Sequence, residues 1–260
     1  MISGKTRFVP LFAHPARHVR TPALFNAECE RQAVDMIMVP LDVRPDMLDR
    51  TVASFRAMEN VAGMVVTIPH KSAVAALCQR KVGAADLVGA CNIVRREANG
   101  SLTGGMFDGE GFVAGLRHRG HEPKGLRVLL VGAGGAASGV AHALLQAGVA
   151  GLTIANRSRE KAEHLARQLA GAFPDARVAA GTPDPAGYDL VVNGTALGMH
   201  EGDALPVDVE RLDRDCVVAE VVMQPDMTPL LIAAEARGCR VHRGIHMIEQ
   251  QVRLLVDFLA

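Results

Sequence analysis

The chain has 260 residues, with 28 Lys+Arg balanced by 28 Asp+Glu, 49% hydrophobic residues and only 3% aromatic ones. A formal net charge of zero gives no electrostatic reason to expect nucleic acid or an anionic membrane as partner, and a chain with no Trp and one Tyr lacks the stacking platforms used on single strands. Five scattered cysteines (Cys29, Cys78, Cys91, Cys216 and Cys239) form no CxxC pair and read as free thiols of a reducing compartment, without a disulfide framework or zinc site.

The N-terminal Met1-Ile2-Ser3-Gly4-Lys5 lacks the apolar core of a secretory signal, and no apolar run is long enough for a bilayer, so a cytoplasmic protein is expected. Short β-rich runs then alternate with helical stretches, the pattern of an α/β protein with largely parallel sheets. Strands are predicted at residues 8–12, 35–39, 63–68 and 92–95, with helices at 21–33 and 45–58, where Pro45 suits a first helical turn. The polar, Gly- and Pro-containing stretch 117–125 reads as the approach to a second domain. Beyond it, strands are predicted at 127–131, 152–155, 189–193 and 217–222, and helices near 136–146, 159–169, 228–237 and 247–259. Paired histidines at His14/His18 and His242/His246 sit among Pro and Gly with no completing carboxylate, so no metal site is expected.

The strand at 127–131 runs straight into Gly132-Ala133-Gly134-Gly135-Ala136-Ala137, with a helix directly behind. Gly132 permits the sharp turn, Gly134 lets backbone approach a pyrophosphate, and Ala137 keeps the helix close to the sheet. The helix N-terminus supplies N–H groups and positive dipole to the phosphates. An NAD site places a carboxylate after the next strand; here that strand ends in Asn156-Arg157-Ser158, with Lys161 close behind. Arg157 can fork onto a 2′-phosphate and Lys161 can add a point charge, which favours NADP.

In the first half, a lysine leaves a buried strand at Val65-Val66-Thr67-Ile68-Pro69-His70-Lys71 and can exchange a proton with a bound substrate. Gly89-Ala90-Cys91-Asn92 and Met106-Phe107-Asp108-Gly109 each put one polar side chain among small or apolar ones. By spacing alone Asn92 and Asp108 are a capping Asn and a turn Asp. Taken with the glycine loop, Val192-Asn193-Gly194-Thr195-Ala196-Leu197-Gly198-Met199, Thr228-Pro229-Leu230-Leu231 and Gly244-Ile245-His246-Met247 through Gln251, the ordered set resembles the shikimate dehydrogenase family over essentially the whole chain.

That resemblance implies two α/β domains: a substrate domain of residues 1–108 plus 244–260, and a Rossmann-type NADP-binding domain of residues 109–243. It implies reversible hydride transfer, as in reduction of 3-dehydroshikimate to shikimate, in chorismate-pathway biosynthesis of aromatic amino acids. Lys71 and Asp108 would be catalytic; Thr21, Thr67, Asn92 and Gln251 would contact the substrate. The Gly132–Ala137 loop, Asn156, Arg157, Ser158, Lys161, Thr195 and Gly244 would hold the cofactor. A small cyclic polyol is the expected partner, and the sequence leaves room for a homodimer. The chain departs from the family at the substrate carboxylate: Val19 and Thr21 stand for two serines, and Met223 for a tyrosine. Those changes either weaken the grip on shikimate in favour of a related polyol or repack one wall without changing the substrate. Quinate or another polyol as substrate, and a silent NADP(H) sensor, are the alternatives.

Overall fold

The computed structural model describes residues 2–260, apart from the side chain of His18. The chain divides into two compact units, one running to Phe107 and taking in Gln251–Ala260, the other comprising Asp108–Gln250.

The first unit contains β1 (Arg7–Ala13), α1 (Thr21–Arg31), β2 (Met36–Asp42), α2 (Leu48–Arg56), β3 (Gly63–Val66), α3 (Lys71–Leu77), β4 (Arg80–Lys81), α4 (Ala84–Val88), β5 (Ile93–Arg96) and β6 (Leu102–Gly105). They form one six-stranded sheet in the order β2-β1-β3-β5-β6-β4. β1 lies parallel to β2 and β3, but β5 is antiparallel to both β3 and β6. Five of the six strands therefore run the same way, as expected, and only β5 is reversed. The five residues 97–101 between β5 and β6 close a tight hairpin, with Glu97 N–H donating to the Ser101 carbonyl at 2.9 Å, and a parallel crossover needs a dozen residues or more.

Period-two alternation gives this sheet two apolar faces. Phe12, Met64, Val66 and Val94 meet Val52 of α2 and Val74 of α3 on one side. Leu11, Val65 and Ile93 meet Phe25 of α1 and Leu255, Val256 and Leu259 on the other. Those last three belong to α9 (Ile245–Leu259). The carbonyls at the end of that helix have no intrahelical donors. Arg7 donates to the Leu259 carbonyl at 3.1 Å and Arg95 to that of Phe258 at 3.3 Å.

The second unit contains α5 (Asp108–His118), β7 (Arg127–Val131), α6 (Gly135–Gln146), β8 (Gly151–Ala155), α7 (Arg159–Ala172), β9 (Val178–Ala180), β10 (Leu190–Asn193), β11 (Val217–Glu220), α8 (Pro229–Ala236) and β12 (Arg240–His242). Its sheet runs β12-β11-β10-β7-β8-β9, with every pairing parallel. Counted from β7, that is the doubly wound order 3-2-1-4-5-6, whose direction reverses between β7 and β10. No helix among the described residues is long and apolar enough to cross a membrane.

The stretch read as a linker is partly helical, since α5 runs to His118 and ends in a left-handed Gly120 (φ +80°). Gly109, Gly111 and Gly115 depress the helix propensity of this segment. Packing reverses the balance: a Cβ on Gly109 would strike the Gly139 carbonyl in α6, and one on Gly115 would lie 2.7 Å from the His246 carbonyl. Gly171 in α7, by contrast, has no atom within 4 Å of a would-be Cβ. Gly→Ala in an open helix gains up to about 1 kcal/mol, whereas overpacking against backbone costs about 1–3 kcal/mol. Gly109→Ala should therefore lower Tm in calorimetry while Gly171→Ala raises it or leaves it unchanged. An equal response of both variants would contradict glycine-mediated contact of α5 with α6.

Candidate active site

In the second unit, β7 delivers the chain to Gly132, whose φ of +123° is the left-handed region that favours glycine. A Cβ there would lie 2.9 Å from the Gly194 carbonyl carbon and oxygen, and one on Gly194 would lie 2.8 Å from Ala137. Three small residues thus let the start of α6 sit at the switch point of the sheet. Gly134 is the N-cap of α6 and no side chain caps its first amides. No protein atom lies within 4 Å of a Cβ on Gly134. An open approach to uncapped N–H groups at the positive end of a 12-residue helix fits a pyrophosphate.

β8 ends beside this loop. Asn156 donates to the Ser158 carbonyl at 2.9 Å, shaping the turn that leaves Arg157 and Lys161 exposed. Arg159 is engaged with Glu163 at 2.8 Å, while Arg157 lines a cavity of about 670 Å³ with Val131, Asn156, Thr195, Leu197 and His200. The size suits a nucleotide and the guanidinium suits a phosphate. These residues fit NADP.

Thr195 is held there by Asn193, which is almost fully buried. The Asn193 amide oxygen accepts from Thr195 N–H at 3.0 Å and from its hydroxyl at 2.6 Å. Its NH₂ donates to the Leu197 carbonyl and to Glu220, both at 3.0 Å. Glu220 is wholly buried at the end of β11, and burial pushes its pKa up, which favours the protonated form. Neither residue stood among the expected site residues. The signal was an acid inside a buried apolar run, which persists only with a partner. Gly244 packs where a Cβ would strike the Val222 carbonyl.

In the first unit, Thr67, Lys71 and Asn92 are stitched together by backbone. Thr67 leaves β3 with its carbonyl accepting from His70 N–H at 2.8 Å. His70 is buried and its Nε2–H donates to the Val43 carbonyl at 2.8 Å, anchoring the start of α3. Desolvation lowers its pKa and keeps the ring neutral. Lys71, the first residue of α3, accepts from Cys91 N–H at 2.9 Å through its carbonyl. Asn92 follows, nearly fully buried, its carbonyl accepting from Val66 N–H at 2.7 Å. Its side-chain oxygen accepts from Phe107 N–H at 2.9 Å, so Asp108 lies one residue beyond a bond made by Asn92. Asp108 is the buried first residue of α5 and belongs to the second unit. Thr21 and Gln251 are buried in the first unit, and Val19 packs against its apolar core. Met223 is half-buried in the second.

Of the paired histidines, His14 bonds Asp42 at 2.7 Å, and the His18 side chain lies outside the described residues. His242 and His246 stack with ring centroids 5.0 Å apart. Burial pushes His242 down to about 3. Among the described residues no group of three or more His, Cys, Asp or Glu could hold a metal ion.

Residues 11–94 match the family model of the shikimate dehydrogenase substrate binding domain, and residues 116–193 that of shikimate / quinate 5-dehydrogenase. The NADP(+) shikimate dehydrogenase of Rubrobacter xylanophilus is 39% identical over 260 residues, covering 98% of this chain and 88% of that protein. A shikimate dehydrogenase solved with NADP+ superposes with a TM-score of 0.89 at 29% identity, covering 100% of this chain and 92% of that one. The ligand-free 5-ketofructose reductase of Gluconobacter sp. strain CHM43 superposes with a TM-score of 0.86 at 32% identity, covering 99% and 94%.

With its pKa raised in the fold, Glu220 contributes stability that is fully present only below the ordinary carboxylate pKa of 4.5 and is lost as pH rises through its folded value. Glu220→Gln keeps the acceptor for Asn193 and cannot ionise. Its Tm relative to the parent should climb between pH 5 and pH 9 in buffered thermal melts. A difference that stays flat across that range would contradict a raised pKa for this buried acid.

Proposed function

The chain belongs to the shikimate dehydrogenase family, and from that membership we propose that it is an NADP-dependent oxidoreductase that reversibly reduces 3-dehydroshikimate, or a closely related cyclic ketone, to the alcohol. The observation that carries the reading is that backbone bonds tie together the segments of Thr67, Lys71 and Asn92, from Val66 to Asn92, Cys91 to Lys71 and His70 to Thr67, with Asp108 next to the Phe107 N–H that the Asn92 side chain accepts. When bound, NADPH supplies the hydride; the residues below bind, orient and move the proton.

Lys71 gives its proton to the carbonyl oxygen in reduction and takes it back in oxidation. Asp108 accepts a hydrogen bond from the substrate and orients Lys71, while Thr67, Asn92 and Gln251 contact ring hydroxyls and Thr21 reaches the far end of the substrate. The amides of Gly132–Ala137 meet the pyrophosphate, and Asn156, Arg157, Ser158 and Lys161 meet the adenosine ribose and its 2′-phosphate. Thr195 and the Gly244 backbone face the nicotinamide end. In this reading residues 1–108 with 244–260 serve the substrate and residues 109–243 the cofactor. A cytoplasmic setting and a homodimer belong to the same reading, the five free thiols favouring a reducing compartment.

A second reading has its own observation. Val19 packs against the apolar core and brings no hydroxyl to a carboxylate, and Thr21 is buried. An uncharged polyhydroxy ketone suits such a wall, and a 5-ketofructose reductase is among the similar structures. Following NADPH absorbance with 3-dehydroshikimate, 3-dehydroquinate and 5-ketofructose separates the readings. Faster turnover of 3-dehydroshikimate supports the first, and faster turnover of 5-ketofructose the second. No turnover despite tight NADPH binding leaves a sensor.

Lys71→Ala should lower kcat by about 10²–10⁴-fold, the ordinary contribution of general acid catalysis, with the Kd for NADPH unchanged. Stopped-flow turnover and fluorescence titration check both halves. Retained turnover removes Lys71 from the chemistry.

A further inference from the structure

Two of the five thiols share an environment that the others lack. Cys78 caps the C-terminal end of α3 and is partly exposed; Cys91 is fully buried beside the backbone of Lys71. Both sulfurs lie over Gly104, where a Cβ would run into the Cys91 sulfur and lie 3.0 Å from that of Cys78. Cys91 donates its thiol hydrogen bond to Cys78, whose own S–H donates to the Val74 carbonyl at 3.3 Å, and Lys81 adds positive charge nearby. We infer that Cys78 and Cys91 are a reversible dithiol–disulfide pair whose closure shifts the segment carrying Lys71 and Asn92.

The chemistry divides the roles. The hydrogen bond from Cys91, aided by Lys81, lowers the pKa of Cys78, which makes the more exposed member the readier of the two to attack as thiolate. The same bond and burial push Cys91 up, so it keeps its proton until needed. Burial pushes Cys29 up to about 11 and Cys216 up to about 12, and raises Cys239 as well, which disfavours the thiolate at those three. The oxidant is a low-molecular-weight disulfide. The Cys78 thiolate attacks one of its sulfurs, the S–S bond breaks, and one thiol leaves with a proton. Cys91 then loses its proton to water and attacks the Cys78 sulfur of the mixed disulfide, releasing the second thiol. Two protein thiols and one small disulfide thus become one protein disulfide and two small thiols.

Closure reaches the proposed site by a short path. A disulfide draws the sulfurs from hydrogen-bond contact to about 2.05 Å. Cys91 is bonded through its N–H to the Lys71 carbonyl and is the neighbour of Asn92, while Cys78 ends the helix that Lys71 begins. A displacement on the order of 1 Å can cost up to about a hundredfold in rate.

The test treats the full chain with oxidised glutathione and combines non-reducing peptide mapping with NADPH turnover. The expected map holds one intrachain disulfide, Cys78 to Cys91, with the other three cysteines alkylated. Turnover should fall about tenfold or more and return with dithiothreitol. Cys78→Ser should resist the oxidant, and Cys91→Ser should retain glutathione on Cys78. A map in which Cys78 and Cys91 stay alkylatable, or a closed form as fast as the reduced one, overturns the proposal. The kinetic arm rests on the proposed function but the map needs no substrate, so a reduced chain inactive on every ketone counts against that function and leaves the pairing to the map.

Discussion

The close approach of three small residues at the switch point governs the second unit. With φ at +123° Gly132 turns the chain out of β7, and its missing side chain lets the Gly194 backbone come within contact. Gly194 in turn leaves room for Ala137, so α6 begins hard against the sheet with its first amides uncapped. The parallel order of the sheet puts the end of β10 beside the end of β7, bringing Thr195 and the glycine loop together. Any larger residue at these positions would move the helix off the place where its dipole can act on a phosphate.

Buried polar residues do the corresponding work elsewhere. Asn193 satisfies four groups at once, and buried Glu220 beneath it accepts one of its donors. Asn92 does the same in the first unit, tying β3 and the approach to Asp108 to a single residue. In a dry interior each such bond is expensive to leave unmade, so the networks set loop geometry more firmly than apolar packing alone could. His70 adds a third anchor, holding the turn that presents Lys71.

Strands with dense Val, Leu and Ile were legible in the sequence: Arg127–Val131, Leu190–Asn193 and Val217–Glu220 lie within about two residues of expectation. So was the glycine loop, because a turn at positive φ demands its residue type. What escaped had a different cause in each case. β6 ends in two glycines, β4 has two charged residues, and α5 carries three glycines, of which Gly109 meets the facing backbone of α6 and Gly115 that of His246. The antiparallel β5 depends on pairing that no local pattern encodes. The division of the chain likewise falls inside α9, at Gln250/Gln251, because its first turn packs on α5 while its last turns pack on the first sheet. Lys71 and Asn92 could be singled out only through the family motifs. Their union by the Cys91–Lys71 backbone bond is a property of the folded chain.

The switch-point crevice of the second unit is built for a 2′-phosphorylated dinucleotide. Equilibrium binding of NADPH and NADH, by calorimetry at low and moderate salt, measures that preference. A charge-assisted contact from Arg157 is worth about 1.5–3 kcal/mol, so NADPH should bind roughly ten- to hundredfold more tightly, and added salt should narrow the gap. Equal affinities at every salt concentration, or tighter binding of NADH, would contradict the assignment.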